Sequence, residues 1–188
     1  MTAKKARSSK ASNLDQWDDI YSEKARNLRQ SEIRALFSVV SRPEVVSLAG
    51  GMPNIKDLPL DRLAESAKQL IARHGAQAMQ YGGGQGYLEL REQISQVMTY
   101  DGYAPNPDNI VITTGSQQAL DYVTQIFIDP GDVIVAESPS YVGALGVFEA
   151  YRADVRHVPL DDDGVIPEAL DEILTQLEKA GTPAKMFY

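Results

Sequence analysis

An α/β fold with a largely parallel sheet is what this sequence predicts, and three observations carry the prediction. From residue 110 onward, short β-branched runs alternate with amphipathic segments in the order strand, helix, strand, helix, strand, helix, strand. That alternation is the pattern of parallel strands joined by crossover helices. Turn-forming clusters punctuate it at Asp129-Pro130-Gly131-Asp132 and Asp161-Asp162-Asp163-Gly164. Two of the predicted strands run straight into a helix through Gly115-Ser116 and Ser138-Pro139-Ser140-Tyr141. Open α/β sheets bind ligands at such places, beyond the carboxyl ends of the strands.

Taken in order, residues 1–12 are Lys, Ser and Ala without an apolar core, so they read as a disordered tail and not a secretory signal. Leu14, Trp17, Asp18 and Tyr21 suggest one short helix. Ser31 caps a second, with Ile33, Leu36, Phe37 and Val40 on one face and Arg34 opposite or at its edge. Pro43 ends that helix. Val45-Val46-Ser47-Leu48 reads as a strand running into Ala49-Gly50-Gly51-Met52-Pro53-Asn54, whose two glycines either make a loop or let a substrate carboxylate approach the main chain.

Pro59-Leu60-Asp61 opens a helix through Leu63, Ala67, Leu70 and Ile71, ending near His74-Gly75. Tyr81-Gly82-Gly83-Gly84-Gln85-Gly86 is glycine-rich but lacks the lysine of a nucleotide-phosphate loop. Residues 87–99 read as a helix with Arg91 near its start, and residues 101–109 as a loop with two prolines. Ile110-Val111-Ile112 is a predicted strand, Gly115 a tight turn, and Ser116 the N-cap of a helix through Leu120, Val123, Ile126 and Phe127. A helix starting there aims unbonded N–H groups and the positive end of its dipole at an anion, usually a phosphate. Gly115 allows close backbone approach, Ser116 adds a hydroxyl, and Gln117 and Gln118 add amides. A strand at residues 133–137 leads into a helix through Leu145, Phe148 and Tyr151; a strand follows at 154–158, then a helix at 167–179 and a last strand from Ala184. Tyr141 beside a strand end is as readily packing as binding. The Asp161-Asp162-Asp163 run lacks the glutamate and spacing of an EF-hand and reads as a turn.

With 188 residues the chain can build a proper core, by the prior of roughly 150 residues per domain. It has no apolar run of the ~18 residues a membrane span needs. The absence of cysteine excludes disulfides, thiolate metal sites and a cysteine nucleophile, and fits a cytoplasmic protein. Net charge is −8 and the one basic cluster lies in the tail, so no nucleic-acid partner is expected.

Several motifs stand in an order that identifies a family. They are Ser31-Glu32-Ile33-Arg34, Ser47-Leu48-Ala49-Gly50-Gly51-Met52-Pro53, Gln80-Tyr81-Gly82 with Gly86 and Leu90-Arg91-Glu92, Thr114-Gly115-Ser116-Gln117-Gln118-Ala119-Leu120-Asp121, Asp129-Pro130-Gly131-Asp132, and Glu137-Ser138-Pro139-Ser140-Tyr141. From about residue 27 to the end, the chain resembles the first half of a fold type I pyridoxal-phosphate-dependent aminotransferase of class I/II. More narrowly it is similar to the kynurenine/2-aminoadipate aminotransferase branch. The resemblance implies a three-layer αβα large domain: residues 53–188 its first half, residues 13–52 an N-terminal arm, and a fold that continues past Tyr188.

It also implies roles. Gly115, Ser116 and Gln117 would bind the phosphate of pyridoxal 5'-phosphate, and Tyr141 would stack on its ring. Tyr81 would reach the phosphate of the neighbouring subunit, which makes a homodimer. Gly50 and Gly51 would lie by the substrate carboxylate, and Arg34 would close over the substrate side chain. The implied reaction passes an amino group from an amino acid of aromatic, 2-aminoadipate or branched-chain type to a 2-oxo acid such as 2-oxoglutarate, in two half-reactions with ping-pong kinetics. None of the eight lysines stands in the family's Ser-x-x-Lys context, so the Schiff-base lysine is expected beyond Tyr188 and the chain by itself is expected to be inactive. Two other readings differ in class: a non-catalytic fragment, and an aminotransferase-like ligand-sensing module. The second needs a winged-helix domain ahead of it, for which the short tail leaves no room.

Overall fold

The computed structural model describes residues 15–27, 44–46 and 53–188, and these fall into two compact units. Of the described residues, one unit contains 15–27 and 120–188, the other 44–46 and 53–119. The predicted tail, the helix from Ser31, and Arg34, Gly50 and Gly51 lie outside the described residues.

The first unit is built on a four-stranded sheet. Its strands are β1 (Val133–Ser138), β2 (Asp154–Asp161), β3 (Gly164–Val165) and β4 (Ala184–Phe187), in the order β3-β2-β1-β4. β1 pairs in parallel with β2, from Val133 opposite Asp154 to Ser138 opposite Pro159, and with β4 on its other side. β3 turns back antiparallel on β2. Val133, Ile134, Val135 and Ala136 are all 0–3% exposed. A strand sealed on both faces reads as such an unbroken apolar run.

The two faces are covered separately. Ile134 joins Ile128, Ala144, Val147 and Phe148, with Tyr188 packed edge-on against Phe148 at 5.4 Å. Val133 and Val135 join Val158 and Leu177 on the other face. Helices α4 (Ser116–Phe127) and α5 (Val142–Ala150) supply the first cluster, and α6 (Pro167–Lys179) the second. The result is the three-layer αβα arrangement the resemblance implies. The predicted N-terminal helix forms as two pieces, a 3-10 turn (Asp15–Ile20) and the short α1 (Glu23–Asn27). Lys24 of α1 lies 3.5 Å over the Tyr151 ring and 3.8 Å from Asp121, while Glu23 pairs with Arg152.

The second unit holds α2 (Leu60–Ala78), α3 (Leu88–Met98) and the chain that leads into α4. α2 runs past the predicted end at His74-Gly75: His74 kinks the backbone, and Ala76, Gln77 and Ala78, good helix formers, carry on one more turn. The chain passes from this unit to the first within α4, at Leu120.

One predicted element is absent. Ile110-Val111-Ile112 forms no strand. Ile110 has extended backbone, φ −108 and ψ 130, as β-branched residues favour. The Ile112 N–H, however, donates to the Gln85 carbonyl at 2.8 Å, and the Ile110 N–H closes a turn on the Pro107 carbonyl at 3.1 Å. Val45 and Val46 carry no strand pairing either. Among the described residues, no helix is long and apolar enough to cross a membrane.

Candidate functional site

The turn into α4 starts from Thr113. The Gly115 N–H donates to the Thr113 carbonyl at 2.9 Å, which closes a three-residue turn, and Gly115 sits at φ 77. That left-handed backbone is cheap only for glycine. The Thr114 N–H is taken by the Gln118 side-chain oxygen at 2.6 Å. Gln118 therefore holds the turn from inside, where the sequence suggested an amide offered to a ligand. The helix begins at Ser116 itself, so Ser116 is its first helical residue and not its cap. Gly115, Ser116 and Gln117 come together at this helix start, all three exposed. An anion there would meet the positive end of the helix dipole.

The segment before the turn is tied to the glycine-rich loop and to α3. Gln85 Nε2 donates to the Asp108 carbonyl at 2.9 Å. Arg91 Nη1 donates to the Pro107 carbonyl at 2.7 Å and reaches Asp108 Oδ1 at 3.5 Å. Ser95 Oγ donates to the Pro105 carbonyl at 2.6 Å. The Asn106 side chain caps the short turn at Pro107–Asn109 by accepting from the Asp108 N–H. Gly86, at φ 97, lies directly under Ile112. Sequence reading placed Arg91 near a helix start and gave it no partner. The signal it missed was a buried charge: Arg91 is 8% exposed.

Tyr141 belongs to the other unit. β1 ends at Ser138, the Ser138–Pro139 peptide is cis, and Ser140 Oγ donates to the Glu137 carbonyl. Tyr141 is the residue before α5, with φ −65 and ψ 120, and its carbonyl accepts from the N–H groups of Ala144 and Leu145. Tyr141 is 56% exposed, and its ring lies over the first turn of α5, where it needs Gly143. A Cβ at Gly143 would sit 2.5–2.7 Å from Cε1, Cζ and Oη of Tyr141.

Tyr81 is 99% exposed, and its N–H is satisfied by the Gln80 side chain at 2.9 Å. Lys185 makes an ion pair with Asp132 at 2.6 Å, at the amino-terminal end of β1 and β4 and therefore the opposite end of the sheet from Tyr141. The Lys185 hydrogen bond, helped by the Asp129 N–H, holds the Asp132 carboxyl below the ordinary range; the same hydrogen bond raises the Lys185 ammonium. Asp161 accepts from the Asp163 N–H at 2.9 Å and so forms a turn of its own side chain.

The family model described as aminotransferase class I and II matches residues 43–188. The chain is 41% identical over 180 residues to aromatic-amino-acid aminotransferase 1 of Thermococcus litoralis, covering 95% of this chain and 43% of that protein. It is 34% identical over 158 residues to 2-aminoadipate transaminase of Thermus thermophilus, covering 84% and 38%. The crystal structure of Pyrococcus horikoshii kynurenine aminotransferase, in complex with PMP, aligns with a TM-score of 0.84 and 36% identity over 94% of this chain and 44% of that one. The chain thus spans less than half the length of these relatives. On the match over residues 43–188 and the architecture it shares with these structures, the chain belongs to the class I and II aminotransferases, of the pyridoxal-phosphate-dependent fold type I.

Proposed function

We propose that the protein carrying this chain is a pyridoxal-phosphate-dependent aminotransferase. It moves an amino group from an aromatic, 2-aminoadipate or branched-chain amino acid to a 2-oxo acid such as 2-oxoglutarate. The observation that carries the reading is the turn at Gly115-Ser116, which starts a twelve-residue helix on an exposed serine, where an anion would meet the positive end of the helix dipole. The names of the relatives support the aromatic and 2-aminoadipate donors.

The residues present fit the cofactor. Gly115 leaves open space where a Cβ would stand, so backbone and phosphate can approach closely. Ser116 offers two donors, its N–H and its hydroxyl, in place of a lysine. Tyr141 presents an exposed aromatic face of the kind that stacks on a flat heterocycle. When bound, pyridoxal phosphate supplies the electron-withdrawing ring that acidifies the substrate Cα–H. The chain's own task is to anchor the phosphate at Ser116 and to fix the plane of the ring at Tyr141, which sets which substrate bond is labilised.

The same reading gives Arg34, Gly50 and Gly51 to the substrate, within an arm formed by residues 13–52. It gives the exposed Tyr81 to the phosphate of a partner subunit in a homodimer. A cytoplasmic setting fits the cysteine-free composition.

The experiment is Ser116→Pro, scored by cofactor retention on dialysis. Proline suits the first turn of a helix but removes both donors. Each hydrogen bond to a charged group contributes about 1.5–3 kcal/mol, so cofactor affinity should fall by at least about tenfold. Unchanged retention overturns the phosphate assignment.

A further inference from the structure

We infer that Gly86 and Arg91 are positioning residues for the phosphate turn: together they set where the segment at residues 110–113 lies, and so where Ser116 presents its donors. The inference rests on the cofactor reading above.

Ile110 in that segment has extended backbone, φ −108 and ψ 130, yet no residue of the segment pairs in a sheet. Something else must fix it, and the contacts around it show what does. The Ile112 N–H bonds to the carbonyl of Gln85 at 2.8 Å, and the next residue in the loop is Gly86. A Cβ on Gly86 would stand 2.5 Å from Ile112 Cγ1 and 2.6 Å from Ile112 Cβ, in a backbone at φ 97. Carbon atoms rest at about 3.5–4.0 Å, so any side chain at residue 86 pushes Ile112 away by about 1 Å or strains the Gln85 hydrogen bond. Three residues separate Ile112 from Ser116, and the Thr113–Gly115 and Thr114–Gln118 hydrogen bonds make that stretch a tight turn. A displacement at Ile112 has little slack to absorb it before it reaches the donors.

Arg91 holds the upstream end. Its guanidinium is buried and donates to the Pro107 carbonyl, while Ser95, one turn further along α3, takes the Pro105 carbonyl. Gln85 takes the Asp108 carbonyl between them. Three side chains thus tie down the carbonyls of Pro105, Pro107 and Asp108, in the turn that leads into the segment. Arg91 Nε has no hydrogen-bond partner among the described residues. A buried guanidinium with an unbonded nitrogen is a poor device for stability, because desolvating it offsets what its bonds return. It is a good device for placement, because one rigid planar group reaches the carbonyl from a fixed helix face.

The test compares three variants as holoenzymes, Arg91→Met, Arg91→Lys and Gly86→Val, with Ser116→Pro alongside. Dissociation constants are measured for pyridoxal phosphate and for pyridoxal, which lacks the phosphate, together with the thermal midpoint. Arg91→Met should weaken pyridoxal phosphate by about tenfold, one charge-assisted hydrogen bond misplaced, and leave pyridoxal nearly unchanged. Arg91→Lys, which can still reach the Pro107 carbonyl, should recover most of the loss. Gly86→Val should repeat the phosphate-selective loss; if it does not fold, Arg91→Met decides. Equal weakening of both ligands together with a lowered midpoint means that Arg91 only supports the fold, and overturns the inference. If Ser116→Pro loses phosphate selectivity while the Arg91 and Gly86 variants keep it, the inference fails and the cofactor site stands. If Ser116→Pro keeps it too, the phosphate reading fails, and the inference with it.

Discussion

Tyr141 follows a strand whose core residues are sealed on both faces, paired on both edges and backed by Phe148. Ser116 follows a segment in which Val111 is 52% exposed and no residue belongs to a sheet. Both are strand-like runs that turn into helices, and both carry a residue assigned to the same cofactor. Their foundations differ in kind. Hydrophobic burial is non-directional and scales with area, so the Tyr141 turn stands on many small contributions. The Ser116 turn stands on a few directional bonds from Gln85, Arg91 and Gln118 and on one contact that only a glycine allows. A site on the first kind of foundation should tolerate local edits and fail with the core. A site on the second should keep its fold and lose its aim.

The largest expected effect tests the first half of that contrast. Phe148 is fully buried and packs edge-on against Tyr188. Phe148→Ala should cost about 3–5 kcal/mol of stability, read as a lowered urea midpoint. Ile112, half-buried in the other segment, should lose about 1 kcal/mol on change to alanine. If the two truncations cost the same, the segments share one kind of support and the contrast is wrong.

What the sequence made legible follows the same division. α6 was readable to the residue. Pro167 suits its first turn, Leu170, Ile173, Leu174 and Leu177 repeat at helical spacing, and Gly181 sits past its end at φ 72. β1 was readable because a strand buried on both faces leaves an unmistakable apolar run. Ile110-Val111-Ile112 carries the same local signal, yet strand pairing is a fact about a neighbour, and here the neighbour is a loop carbonyl at Gln85. Local propensity had no access to it. The helix start at Ser116 was visible because glycine followed by serine is a local signature. The inward use of Gln118 was not, since an amide beside an anion site is equally plausible facing out. Arg91 was seen only as a charge on a helix, because its burial is decided by residues 105–108.

Gly143→Ala sharpens the contrast at the site itself. The added methyl must displace the Tyr141 ring, which is the free end of a side chain and can swing aside. Alanine also gains about 0.5–1 kcal/mol over glycine inside a helix, so the net change in stability should stay within about 1 kcal/mol. The cofactor should notice the ring. An aromatic contact contributes about 0.5–1.5 kcal/mol, so binding should weaken by about two- to tenfold. The loss should be equal for pyridoxal phosphate and pyridoxal, because Tyr141 is assigned to the ring and not to the phosphate. A phosphate-selective loss would mean that the two turns do not divide the cofactor as proposed.

The smallest effect is set by pH and lies at the other end of the sheet. Asp132, at the start of β1, and Lys185 on β4 form an exposed ion pair, so screening by water keeps its contribution small. Its sign is nevertheless fixed. The Asp132 carboxyl is held below its ordinary range, so its share of stability is present above about pH 4 and is lost as pH falls through the lowered value. The Lys185 ammonium is raised, so its share is present below about pH 10 and is lost as pH rises through the raised value. Asp132→Asn should flatten the acid limb of the urea-midpoint profile and leave the plateau near neutral pH slightly lower. Because the pair clips β4 to the turn before β1, far along the strands from Tyr141, the variant should leave cofactor affinity at neutral pH unchanged. A loss of affinity with an unchanged midpoint would show that the sheet transmits small shifts from one end of β1 to the other. Burial alone would then not explain the tolerance expected of the Tyr141 turn.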